Sequence, residues 1–123
     1  MQTILTDFYT LENSEKAENG SYIANISLNK NHDIFKGHFP GNPVTPGVCM
    51  MQIVKELTEK FTGKKLFLKS ASNVKFMAII NPFETPDLTL QLDINEGEEE
   101  IKVKNTTSFG ETIALKMSVN YKK

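Results

Sequence analysis

Residues 37–48 read GHFPGNPVTPGV, and the first 11 of them contain three prolines and three glycines. This density argues against a regular helix or strand, because proline lacks a backbone donor and glycine loses the most conformational entropy in either element. The segment is therefore predicted to be an ordered loop, and loops of this kind often hold functional residues.

A helical pattern begins where this loop ends. Thr45 is placed to cap the first turn, Pro46 suits the first helical position, and Gly63 is the expected stop. Apolar residues recur between them at i, i+3, i+4, i+7 and i+11, which is the spacing of one helix face: Met50, Ile53, Val54, Leu57 and Phe61.

The rest of the chain predicts strands. Apolar and polar residues alternate over residues 3–11 and 22–28 before the loop, and over residues 66–80, 88–94, 98–109 and 112–121 after the helix. A chain of 123 residues has the length of one domain, so we expect a single α+β domain over residues 1–123. Its one long helix must be covered by an antiparallel sheet.

The composition excludes several classes of protein. The net charge is −1 and all 14 basic residues are lysines, so nucleic-acid binding is not expected. Cys49 is the sole cysteine, which rules out an internal disulfide and favours a reducing compartment. No apolar run approaches the roughly 18 residues of a membrane span, and the first residues lack a secretory pattern. We therefore expect a soluble, cytoplasmic protein that does not contact membranes.

Charged residues fall into two blocks of opposite sign. Residues 60–83 contain no acid and five lysines, whereas residues 84–100 contain seven acids and no lysine. Two solvated faces would explain the blocks. A lysine rim that docks an acidic partner would explain them as well, and its members would be Lys60, Lys64, Lys65, Lys69 and Lys75.

Histidine is the side chain best suited to proton transfer near neutral pH, and the chain has two, His32 and His38. His38 lies within the loop, shortly before the uncapped amides at Gly47 and Val48, which could stabilise a polarised carbonyl oxygen. This arrangement suits proton abstraction next to a carbonyl, although a structural histidine that caps a turn would fit the same spacing.

Other chemistries find little support in the sequence. Cys49 stands at a helix start but is more readily explained as a small packing residue than as a nucleophile. No paired metal-ligand motif occurs, and the glycines follow neither a dinucleotide-binding nor a phosphate-loop pattern. We therefore expect no metal and no cofactor.

The segment 37–48 closely resembles the active-site segment of hotdog-fold β-hydroxyacyl-acyl-carrier-protein dehydratases, without gaps over 12 residues. Residues 73–76 (NVKF) and the following Asn81-Pro82 are similar to the next strand and turn of that family. The resemblance implies a hotdog fold, in which a curved antiparallel sheet wraps around one long helix. It also implies a homodimer or larger homo-oligomer with active sites at the subunit interface, or a heteromer with another dehydratase.

The resemblance also implies roles for single residues. His38 would take the proton from Cα of the thioester, and the backbone amide of Gly47 would hold the thioester carbonyl. Phe39, Pro43, Val44 and Val48 would line the acyl site. The substrate would be carried on acyl carrier protein or coenzyme A, and the lysine rim would suit an acidic carrier.

The chain departs from the family at one position. The family has a carboxylate 14 residues after the histidine, and this chain has Gln52 there. An amide cannot release a proton near neutral pH, and loss of general acid assistance costs roughly 10²- to 10⁴-fold in rate. His38 could perform both proton transfers, or Glu56 could replace the acid from one turn, about 5.4 Å, further along the helix, which is a long reach. Alternatively, the site binds acyl thioesters without dehydrating them.

The resemblance therefore predicts a dehydratase that converts 3-hydroxyacyl thioesters to trans-2-enoyl thioesters, in fatty-acid or polyene-type lipid and pigment synthesis. A non-catalytic subunit that binds acyl thioesters and partners an active dehydratase is the second reading. A hotdog thioesterase is the third, although the carboxylate that such enzymes often use has no clear counterpart in this sequence.

Overall fold

The computed structural model describes residues 7–18, 20–32, 35 and 45–123. Among them it shows six strands and one long helix. In chain order these are β1 (Tyr9–Lys16), β2 (Tyr22–Leu28), α1 (Gly47–Thr62), β3 (Phe67–Phe76), β4 (Asp87–Glu96), β5 (Glu100–Phe109) and β6 (Thr112–Lys122). The predicted α+β class, with a single sheet against one helix, is confirmed.

The strands form one antiparallel sheet in the order β1-β2-β4-β5-β6-β3. The last three strands follow one another through short turns, and Gly110 allows the turn between β5 and β6 with its left-handed φ of 58°. Strand β2 instead pairs with β4, although α1 and β3 separate them in sequence. The helix is therefore part of the crossover connection from β2 to β4.

One face of the sheet and one face of α1 form the core. A row of buried residues runs across four neighbouring strands through Ala24, Leu90, Thr107 and Leu115. The helix adds a buried stripe of residues against this face: Cys49, Met50, Ile53, Val54, Leu57 and Thr58. Each large aliphatic side chain removed from water contributes about 1.5–3 kcal/mol, so this contact holds the helix to the sheet.

Strand β3 differs from the other strands because all ten of its residues are exposed. It pairs with β6 along one edge, and no described residue pairs with its other edge. Several of its exposed side chains are large and apolar: Phe67, Leu68, Val74 and Phe76. An unpaired edge with apolar side chains on both faces is the usual mark of a surface that another chain covers.

The start of α1 differs from the prediction. Pro46 is the N-cap residue rather than the first helical residue, and the helix begins at Gly47 without a side-chain cap. Thr45 is buried, and both its backbone N–H and its hydroxyl donate to the carbonyl oxygen of Ile80 at 2.9 Å. The predicted Thr45 cap is therefore wrong, because its hydroxyl fastens the helix start to the segment that follows β3.

The predicted end of α1 is confirmed, whereas two predicted strand boundaries are shifted. Gly63 ends α1 in the left-handed conformation, and its N–H donates to Glu59 O, as the sequence predicts. The strand predicted over residues 66–80 is shorter and ends at Phe76. Residues 3–6 of the first predicted strand lie outside the described residues, and β1 extends beyond its predicted end to Lys16.

Replacing Thr45 by valine removes the hydroxyl and keeps the volume. The Ile80 carbonyl retains the Thr45 N–H as a donor, so we expect the free energy of unfolding to fall by about 1 kcal/mol, the net value of one hydrogen bond. Urea denaturation measures this change. Thr112→Val, at an exposed position of β6, is the control and should change stability by less than about 0.5 kcal/mol. Equal effects of the two variants would contradict the assignment.

Candidate active site

The first turn of α1 offers backbone donors. Among the residues that the structure describes, none accepts a hydrogen bond from the N–H of Gly47 or Val48. The N–H groups of Cys49 and Met50 point back to the Pro46 carbonyl, at 3.0 and 3.3 Å. The first turn also contains no acidic side chain, so the partial positive charge of the helix start is not neutralised there.

An apolar groove of about 450 Å³ opens beside these donors. Its walls come from the helix start and from the segment after β3: Thr45, Pro46, Gly47, Val48, Phe76, Ala78, Ile79 and Ile80. Gly47 lies against the ring of Phe76, and a Cβ at position 47 would approach Phe76 Cζ to 2.8 Å. The ring can lie this close to the helix start only because Gly47 has no side chain.

A second groove of about 350 Å³ is also lined by Val48. Gln52 lines it together with Val48, Met51, Lys55, Leu68 and Tyr121. The amide Nε2 of Gln52 donates to Oε2 of Glu56 at 3.0 Å, and the Tyr9 hydroxyl donates to Oε1 of the same carboxylate at 2.9 Å. Burial, and then the charge and the hydrogen bond of Glu56, raise the pKa of Tyr9 well above its usual value.

The interpretation of Glu56 as a replacement acid stays a prediction, but its side chain lies close to that of Gln52. The backbones at positions 52 and 56 are one turn apart, but side chains at i and i+4 converge on the helix surface. The carboxylate of Glu56 consequently touches the amide of Gln52.

Four of the predicted site residues, His38, Phe39, Pro43 and Val44, lie outside the described residues, and their roles stay predictions. The other predicted site residues, Gly47, Val48 and Gln52, all lie within the first two turns of α1. His32, the other histidine, packs the edge of its ring against Phe8, with ring centroids 5.2 Å apart.

The described lysines do not form a rim of unpaired charge. Lys64 Nζ lies 2.7 Å from Glu96, and Lys69 forms an ion pair with Glu100. The pairing raises the pKa of Lys64 and lowers the pKa values of Glu96 and Glu100. The basic and acidic blocks of the sequence therefore meet in part at the surface, while Lys60, Lys65 and Lys75 are exposed.

The described residues contain no group of three or more His, Cys, Asp or Glu side chains that could hold a metal ion. No helix within the same ranges is long and apolar enough to cross a membrane.

The sequence matches a known protein family over most of its length. Residues 13–115 match the family model described as ApeI-like, the ApeI dehydratase family. The chain belongs to the ApeI-like dehydratase family. The predicted relationship to thioester dehydratases is thereby confirmed.

Sequence relatives of this ApeI-like chain include two proteins named 3-hydroxyacyl-(acyl-carrier-protein) dehydratase FabZ. The protein from Levilactobacillus brevis is 28% identical over 79% of this chain and 68% of its own length. The protein from Clostridium acetobutylicum is 31% identical over 85% of this chain and 72% of its own length. The chain thus spans about two thirds of the length of these relatives.

A similar solved structure is "The Dehydratase Heterocomplex ApeI:P from Xenorhabdus doucetiae". It superimposes with a TM-score of 0.69 and 22% identity, over 93% of this chain and 97% of the other. The likeness confirms the predicted hotdog fold of this ApeI-like dehydratase family member.

Sequence reasoning missed two contacts of the site. Tyr9 lies 47 residues before Glu56, and nothing in its local pattern signals the hydrogen bond between them. The contact between Phe76 and Gly47 likewise depends on where β3 lies beside the helix start. The Gln52–Glu56 bond had a visible signal, because the two residues stand four apart on a helix.

The reactivity of Cys49 tests whether this residue of the first helical turn is a packing residue or a nucleophile. Its side chain is buried, and burial raises the pKa of its thiol, so little thiolate is present at pH 8. We expect alkylation of native Cys49 by iodoacetamide to be at least about tenfold slower than in urea. As the sole cysteine, Cys49 gives an unambiguous mass shift. Equal rates in both states would show a reactive thiol at the helix start instead of a packing residue.

Proposed function

We propose that this protein dehydrates 3-hydroxyacyl thioesters to trans-2-enoyl thioesters. The observation that carries the proposal is the start of α1, where the N–H groups of Gly47 and Val48 stand uncapped among the described residues beside an apolar groove. Membership of a dehydratase family supports the same reaction. Acyl chains require an apolar wall, and a thioester that gains negative charge requires donors at the end of that wall.

The reaction removes a proton from Cα and a hydroxyl group from Cβ. As the base takes the proton, negative charge moves to the thioester oxygen, and we propose that the Gly47 N–H stabilises it. One such donor is worth roughly 10²- to 10³-fold in rate. The electron pair then forms the Cα=Cβ bond, the Cβ–O bond breaks, and the oxygen takes a proton and leaves as water.

His38 is our proposal for both proton transfers. A single histidine can accept the Cα proton and return it to the leaving hydroxyl, which leaves Gln52 to orient that hydroxyl by hydrogen bonding. Phe39, Pro43, Val44 and Val48 are proposed to line the acyl site; of these, Val48 lines both described grooves. The proposal needs neither a metal ion nor a cofactor.

The relatives' names support a proposal for the carrier. The FabZ proteins are named for substrates on acyl carrier protein, and we propose the same carrier here, with coenzyme A as the alternative. The exposed Lys60, Lys65 and Lys75 would attract an acidic carrier. We place the reaction in fatty-acid or polyene-type lipid and pigment synthesis, inside the cytoplasm.

A second hotdog subunit is proposed to cover β3. Its unpaired edge and the exposed Phe67, Leu68 and Val74 suit a strand of another copy, which would extend the sheet and approach the grooves at Val48. A homodimer is the simplest form. A heteromer with another dehydratase is the variant that the heterocomplex of the structural neighbour supports.

The second candidate function is a non-catalytic subunit that binds acyl thioesters. The observation in its favour is Gln52, an amide at the position where the resemblance to the dehydratases implies a carboxylate. Such a subunit would retain the grooves and the β3 edge without turnover.

The decisive assay follows interconversion of crotonyl and 3-hydroxybutyryl thioesters on acyl carrier protein by the enoyl absorbance. We expect turnover by the wild-type protein and a loss of about 10²-fold or more in His38→Ala. Circular dichroism would establish that the variant is folded. Absence of turnover by folded wild-type protein, with short and long acyl chains, would replace the dehydratase proposal by the non-catalytic one.

The subunit proposal has its own test. We expect sedimentation equilibrium to give at least twice the mass of one chain for the wild-type protein. Leu68→Lys combined with Val74→Lys places two charges on the exposed β3 and should shift the mass to that of the monomer. Thr10→Lys, on the opposite edge strand β1, is the matched control and should leave the mass unchanged. A wild-type monomer at micromolar concentration would contradict the proposal.

A further inference from the structure

Three side chains connect β1 to the candidate site. The Tyr9 hydroxyl and the Gln52 amide donate to different oxygens of the Glu56 carboxylate, at 2.9 and 3.0 Å. All three residues are partly buried. A carboxylate held by two donors from two elements has little freedom to turn, and it defines a fixed direction for the groups that bond to it.

This contact determines which end of the Gln52 amide faces Glu56. An ionised carboxylate only accepts hydrogen bonds, so the amide must present its NH₂ group to it. The carbonyl oxygen and the nitrogen of an amide diverge from the same carbon, so Oε1 is not the atom that bonds to Glu56. Because Gln52 also lines the groove beside Val48, Oε1 is the acceptor that the residue can offer to a molecule in the groove.

We propose that Glu56, held by Tyr9, is a positioning residue that keeps the Gln52 carbonyl oxygen turned toward the groove, where it accepts a hydrogen bond from the substrate's 3-hydroxyl. The inference rests on the proposed function for the identity of that substrate. A hydroxyl that donates its hydrogen to Gln52 keeps its oxygen lone pairs available for the incoming proton. Gln52 thus prepares the leaving group without being an acid.

Tyr9 is the support of this arrangement. Burial and the neighbouring Glu56 raise the pKa of Tyr9, so its hydroxyl remains a donor throughout the neutral range. A donor that never ionises there keeps one oxygen of Glu56 engaged, while the other oxygen accepts a hydrogen bond from Gln52.

The structural part of the test does not require activity. Glu56→Gln removes the negative charge and the obligatory acceptor, so the side-chain amide resonances of Gln52 should shift and the pKa of Tyr9 should fall, because the charge of Glu56 raises it. Nuclear magnetic resonance of the amide and of the Tyr9 ring carbon measures both. Glu12→Gln, an exposed Glu-to-Gln change on β1, is the matched control and should change neither.

The functional part separates binding from chemistry. Amide analogues of the 3-hydroxyacyl and the plain acyl thioester, titrated by calorimetry, report the contact with the hydroxyl whether or not turnover occurs. We expect wild-type protein to prefer the hydroxyacyl analogue by about 3- to 10-fold, the value of one hydrogen bond, and Glu56→Gln to lose that preference. In the dehydration assay, Glu56→Gln should lower kcat by about tenfold or more with a smaller change in KM.

Exchanging the residues at positions 52 and 56 tests whether the activity lost in Glu56→Gln can be restored. Gln52→Glu combined with Glu56→Gln retains the hydrogen bond with its direction reversed, and should recover kcat relative to Glu56→Gln alone. Gln52→Glu alone would place two carboxylates about 3 Å apart, which cannot both ionise readily, so it should add a new limb to the pH profile of kcat.

The outcomes distinguish the two proposals. Unchanged Gln52 resonances and an unchanged analogue preference in Glu56→Gln would overturn the positioning role, even if the wild-type protein is an active dehydratase. A wild-type preference for the hydroxyacyl analogue that depends on Glu56, without any turnover, would support the positioning role and overturn the dehydratase proposal.

Discussion

The burial of one stripe of α1 against the sheet is the constraint on which the rest of the structure depends. Met50, Ile53 and Leu57 are fully enclosed, and they fix the rotation of the helix about its axis. That rotation places Val48 and Gln52 on the flank, where both grooves open. A shift by one residue would turn the flank by about 100° and carry the candidate site into the core or away from β3.

The helix start lacks a stabilising side-chain cap, and the N–H groups of its first turn are left without one. A serine, threonine, asparagine or aspartate as the N-cap typically stabilises a helix by about 1 kcal/mol, and Pro46 provides no such side chain. Thr45 bonds to Ile80 instead, which anchors the helix start to the segment after β3 without occupying the Gly47 and Val48 amides. The anchor therefore keeps the groove walls together and leaves the donors at its end accessible within the described part of the chain.

Local patterns predicted those features that depend on neighbours in sequence. The apolar period of α1, the stop at Gly63 and the alternation in β4 are of this kind, because each follows from burying one side of one element. The role of Thr45 escaped prediction because its partner, Ile80, is 35 residues away. The bond from Tyr9 to Glu56 and the exposure of β3 also depend on tertiary packing, which a single sequence does not specify. The 12-residue resemblance predicted the family. The contacts among the described site residues depend on tertiary packing and became visible only in the structure.

Gln52 stands at the position where the resemblance of the loop implies a carboxylate. A carboxylate is present one turn further along the helix, because Glu56 lies 3.0 Å from the Gln52 amide. An acid at position 52 would combine two tasks, holding the leaving hydroxyl and protonating it. In this chain the amide can hold the hydroxyl, and Glu56 can define the direction of the amide, but protonation requires another group. Under our proposal, His38 therefore performs both proton transfers, and the helix supplies the hydrogen bonds that orient the leaving hydroxyl.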